Sequence, residues 1–177
     1  MSNVIWSPDG TRVAARTPAR PERPQRVVVF DVRKTWTGQI PGALPLSMPE
    51  GVNVFPTSWS ADGRQLALNA IGPDASAGIY IYDFETRQVQ KVSRLGEIQS
   101  VARWLSDNRR LLVAYRGRLH LINTVAAKSH EVLSVWPDAI GGHSVSRDDR
   151  LIVYGLRSRR SDIWLASAEE RPTGRRQ

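Results

Sequence analysis

Four ten-residue segments align without a gap along this chain: WSPDGTRVAA from Trp6, WSADGRQLAL from Trp59, WLSDNRRLLV from Trp104 and VSRDDRLIVY from Val145. Their shared acidic residue is Asp9, Asp62, Asp107 and Asp148, at spacings of 53, 45 and 41 residues. Self-similarity at this period signals an array of supersecondary units, and it constrains the fold more than any local propensity. The residue after each Asp is Gly10, Gly63, Asn108 or Asp149, the types that most readily accept a positive φ. A hairpin closed by a type I turn and a left-handed residue demands that set. The Asp side chain can bond the backbone two residues on, as can Ser7, Ser60 and Ser146 at the start of the turn. Each unit is therefore expected to contain a tight β-hairpin.

After each turn comes a strand that is apolar almost throughout: Val13 to Ala15, Leu66 to Leu68, Leu111 to Tyr115, Leu151 to Tyr154. Such runs suit strands buried on both faces. A third strand is expected at Arg26 to Asp31, Gly78 to Asp83, Arg118 to Asn123 and Ser161 to Ser167, three of them ending in a residue suited to an Asx turn, Asp31, Asp83 or Asn123. Outer fourth strands are expected at Gln88 to Ser93, Ser129 to Val135 and, less clearly marked, within Ile40 to Met48. Four strands per unit with a doubly buried centre is what a propeller blade requires, because each small sheet packs both faces on its neighbours. The expected fold is all-β, a β-propeller of about four blades of four antiparallel strands. The blades fall near 1-50, 51-97, 98-137 and 138-168, the last incomplete, and a charged tail covers 169-177. Trp6, Trp59 and Trp104 at one repeat position, with Tyr80 and Trp164 at another, are expected as blade packing.

These repeats resemble the TolB-like propeller repeats, distant relatives of WD-repeat propellers, whose pattern is Pro-x-Trp-Ser-Pro-Asp-Gly-(Lys/Arg)-x-Ile-Ala-Phe followed by an Ile-Tyr-x-x-Asp strand. Trp6 to Ala15 and Trp59 to Leu68 match, and Ile79 to Asp83 is similar to the later strand. The third unit departs at Leu105 and Asn108, and the fourth has Val145 in place of Trp. The closing Asp162-Ile163-Trp164-Leu165 resembles the carboxyl end of propellers linked to bacterial serine/threonine kinases. The resemblance implies a larger propeller of six or more blades. On that expectation the chain is a carboxyl-terminal piece, or completes itself by association through open blade edges. It also implies a protein- or peptide-binding scaffold, or a sensor propeller attached to a kinase or a prolyl-oligopeptidase-like peptidase.

Chemistry is not expected of these residues. The chain of 177 residues has no cysteine, which excludes disulfides, thiolate metal sites and cysteine nucleophiles. No Gly-x-Ser-x-Gly elbow, His-Arg-Asp or Asp-Phe-Gly sequence occurs, nor a Gly-rich phosphate cradle. No stretch approaches the roughly 20 apolar residues of a membrane helix. His120, His130 and His143 lack metal-pair spacing, and a relay of His143, Ser144 and Asp148 lacks the turn that would expose its serine. No cofactor or metal is expected.

The net charge of +8 invites an anionic partner. Yet all but three of the 25 basic residues are arginines, Lys34, Lys91 and Lys128 being the exceptions, a bias that a GC-rich genome produces without selection for nucleic acid. A protein or peptide partner is expected instead. Its candidate surface comprises Trp36 and Trp136, which lie outside the aligned motif, and the cluster Arg157, Arg159, Arg160.

Overall fold

The structure, a computed structural model, describes residues 4–17, 26–34, 44–45, 51–72, 77–95 and 101–158. Among them are fourteen strands and no helix. The first blade comprises β1 (Val4–Trp6), β2 (Arg12–Arg16), β3 (Val27–Asp31) and β4 (Leu44–Pro45), hydrogen-bonded in that order. The second is β5 (Asn53–Trp59), β6 (Gln65–Ile71), β7 (Ala77–Asp83) and β8 (Val89–Ser93). The third is β9 (Ala102–Trp104), β10 (Arg110–Tyr115), β11 (Arg118–Asn123) and β12 (Lys128–Ser134). In the fourth, β13 (Ala139–Val145) pairs with β14 (Ile152–Arg157). Every pairing is antiparallel.

The repeated turns close the first hairpin of each blade in one register. Trp6 faces Val13, Trp59 faces Leu66, Trp104 faces Leu111 and Val145 faces Ile152. The corner residues Gly10, Gly63, Asn108 and Asp149 have φ of 69°, 69°, 55° and 59°. Each corner amide donates back to the carbonyl three residues earlier, on Ser7, Ser60, Leu105 and Ser146. The Ser7, Ser60 and Ser146 hydroxyls donate to Asp9, Asp62 and Asp148 and accept the amide five residues on. Further along each blade, Asp31, Asp83 and Asn123 accept the amides of Arg33, Glu85 and Val125, closing Asx turns at the end of the third strand.

Because side chains alternate across a strand, the central strands bury neighbouring residues in different cores. Leu66, Leu68 and Ala70 of β6 join Ala14, Val27 and Val29 of the first blade, while Ala67 between them joins Ile81, Trp104, Leu111 and Val113 on the other side. β10 repeats the division: Leu111 and Val113 face the second blade and Leu112 belongs with Leu119, Leu133 and Ile140 towards the fourth. The hydrophobic cores thus lie between blades. Burying one such leucine is worth about 1.5–3 kcal/mol.

Two expectations are corrected at the flanks. Trp59 and Trp104 are 6% and 7% exposed, but Trp6 is 60% exposed. A Trp at this position packs on the preceding blade, as Trp59 does when its indole N–H donates to the Ile5 carbonyl, and among the described residues no sheet lies on that side of β1. The strand Leu151 to Tyr154, expected to be buried on both faces, is exposed along its length, Val153 by 60%. β14 is an edge with one described neighbour. Trp36, Arg159, Arg160, Trp164, the strand at Ser161 to Ser167 and the tail lie outside the described residues.

Candidate functional site

At the end of the third and fourth blades opposite the repeated turns, glycine leaves a depression of about 530 Å³. Its first wall is the two-residue hairpin joining β10 to β11. Arg116 and Gly117 there have φ of 49° and 71°, successive positive values that match the right-handed twist of the strands. The second wall is the connection from β12 to β13, containing the cis peptide Trp136–Pro137. The two walls are fastened: the Val135 amide donates to the Gly117 carbonyl at 2.8 Å, and that of Asp138 donates to Val135 at 2.9 Å. A Cβ on Gly117 would collide with the Asp138 carbonyl, so only glycine permits this approach.

The floor is β13. Ile140 pairs with Leu156 and Gly142 with Gly155, leaving Gly141 in a bulge. A Cβ added at Gly142 or Gly155 would meet no atom within 4 Å; the strand pair is bare backbone here. Around this trough stand Trp136, 67% exposed, Asp138 and two arginines. The Arg116 guanidinium lies 5.1 Å from the Tyr115 ring centre. Arg157, at the end of β14, extends over Gly141, its Nη2 3.5 Å from where a Cβ would stand. Neither arginine has an ion pair among the described residues.

His143 anchors the floor from beneath. It is 7% exposed and its Nε2 lies 3.1 Å from the Leu112 carbonyl of the third blade. Burial, assisted by nearby Arg103, pushes its pKa below the usual histidine value, so the charge in the depression comes from the arginines and Asp138. His143 does not meet Ser144 and Asp148 in a relay: its Nε2 is directed at Leu112 and Asp148 accepts from Ser146 and Arg150. His120, in β11, has its pKa lowered by burial and packs 6.3 Å from Tyr115. His130 stands on β12 opposite Leu121.

The turn end of the blades is laced together by bonds that the repeat pattern did not reveal. The Asp62 amide donates to the Asn108 side chain of the next blade at 3.1 Å. The Ser106 amide and hydroxyl donate to Asp149 of the fourth blade at 2.9 and 2.6 Å. Between the first two blades, Arg12 donates to the Gly63 carbonyl and lies 4.7 and 5.0 Å from the ring centres of Trp59 and Phe84, which stack on each other at 5.0 Å. Arg16 lies 3.8 Å from Phe55. Part of the arginine excess is therefore spent inside the scaffold.

No family model and no curated protein match the sequence. Solved structures do. TolB from Acinetobacter baumannii superposes with a TM-score of 0.67 at 19% identity, over 86% of this chain and 37% of its own. The β-propeller domain of the Trilobed protease from Pyrococcus furiosus, described as having an open velcro topology, gives 0.57 at 14% identity, over 78% of this chain and 45% of that one. The chain thus spans less than half the length of either, and its fold is a partial β-propeller like theirs. Among the described residues no helix is long and apolar enough to cross a membrane.

Proposed function

We propose that this chain is a non-catalytic propeller scaffold that holds a protein or peptide partner, and that the partner docks in the depression between the third and fourth blades. One observation carries the reading: an indole 67% exposed at Trp136 stands beside a bare glycine stretch of β13, where Gly141 and Gly142 line the depression. An aromatic anchor beside a concave backbone surface is the usual arrangement of a peptide-contacting hot spot. A photo-crosslinking amino acid at position 136, compared with one at Val125, tests it. Val125 is 80% exposed at the opposite end of β11. A discrete protein adduct from position 136 and none from 125 is expected; equal labelling, or none, overturns the proposal.

A second reading is favoured by the likeness to the propeller domain of a protease. Here the scaffold serves as the regulatory or sensor part of a larger enzyme, a peptidase or a serine/threonine kinase. A catalytic domain encoded in frame before Met1 would decide for it, and a stop codon there would decide against it.

A further inference from the structure

Resting on the scaffold reading above, we infer that the depression takes an extended acidic peptide segment, its carboxylates held by Arg116 and Arg157 and an apolar side chain laid on Trp136. The glycine trough supplies the shape. Side chains are missing from two adjacent floor positions, Gly141 and Gly142, and the bulge at Gly141 interrupts the pairing with β14. A peptide backbone can approach such a surface as closely as another strand would. The charge supplies the chemistry. Both guanidiniums lack an ion pair among the described residues, and a guanidinium presents a planar fork of donors matched to a carboxylate. Arg157 is laid across the trough and Arg116 is steadied on Tyr115, so less side-chain freedom is lost when an anion arrives.

Polynucleotides fit less well. Their affinity depends on a track of cations along the phosphates, whereas here two arginines share the site with the Asp138 carboxylate. A peptide with spaced carboxylates and unpaired amides can meet both signs.

The test is selection of a displayed library of random 12-residue peptides on the 177-residue chain, followed by binding of the enriched peptides to variants by calorimetry. Enrichment of Asp and Glu around an apolar residue is expected. Arg116→Gln and Arg157→Gln should each weaken binding roughly tenfold, about 1.4 kcal/mol, Arg157→Lys should weaken it less, and Trp136→Ala should weaken it regardless of peptide charge. Unchanged thermal melts of the arginine variants would assign the loss to contact rather than folding. Enriched peptides that are neutral or basic, yet sensitive to Trp136→Ala, would overturn the acidic ligand while leaving the peptide scaffold standing. Enrichment indifferent to all four variants would overturn both. Binding of a single-stranded oligonucleotide tighter than any peptide, lost steeply with salt, would also overturn the inference.

Discussion

Asn108 and Asp149 stand where the first two repeats carry glycine, and each uses its side chain to reach the turn of the preceding blade. The two deviations from the repeat pattern therefore keep the positive φ that the corner needs and add a fastening that glycine cannot make. Asp149→Gly separates these roles. It preserves the backbone geometry, and loss of the bonds to Ser106 should cost about 1 kcal/mol, since these are exposed charge-assisted bonds; urea unfolding measures it.

His143 offers a second test at the residue scale. Its folded pKa lies below the unfolded value because its ring is buried. The unfolded chain therefore binds more protons as pH falls, and the stability present above about pH 6.5 diminishes below it. His120 shifts in the same direction from burial. Between pH 7.5 and 5 the urea midpoint should drop, and His143→Gln combined with His120→Gln should flatten the curve. A steeper curve in the double variant would contradict the burial argument.

Elements divide into those whose burial their own residues announce and those whose burial depends on a neighbour. β6 and β10 are legible because unbroken apolar runs need two buried faces, and both have them. β14 carries the same kind of run yet is exposed, because burial of a strand is a property of the sheet beside it. Trp6 and Trp59 are identical in the repeat pattern and opposite in environment. The substitutions Trp59→Ala and Trp6→Ala should differ accordingly: about 3–5 kcal/mol lost for the first and under about 1 kcal/mol for the second, by chemical denaturation. The depression was only partly legible. Trp136 and Arg157 stood out as residues outside the repeated core, whereas Gly117, Gly141 and Gly142 gave no signal, since a glycine's role is set by what approaches it. Gly117→Ala should cost about 1–2 kcal/mol for the left-handed backbone alone, and the collision with Asp138 should shift the Trp136 emission spectrum as the loop is displaced.

For the molecule as a whole, the repeated turns and the Asx turns after the third strands concentrate carboxylates whose ionised form is part of the fold. Asp9, Asp83 and Asp148 are held below the usual carboxylate range, by the Ser7 hydroxyl, the Thr86 amide and the Ser146 hydroxyl respectively, and Arg33 brings Asp31 to about 2. Depressed folded pKa values give stability that is complete above the unfolded value of about 3.9 and is lost as pH falls through the folded ones. Acid should therefore destabilise the chain progressively below about pH 4. Asp9→Asn and Asp148→Asn together, which keep the turn acceptor without its charge, should reduce the slope of stability against pH between 4 and 2.

The placement of the two larger hydrophobic clusters across neighbouring sheets makes the seam, and not the sheet, the unit that holds together. An excised first or second blade keeps its hydrogen-bonded ladder but only part of the clusters it shares, so the smallest piece with an intact seam is a pair. Lengthening such a chain by copying one blade adds a single seam when the new copy's front matches the old copy's back. The strict recurrence of one register from Trp6 to Val145 is what lets those halves meet.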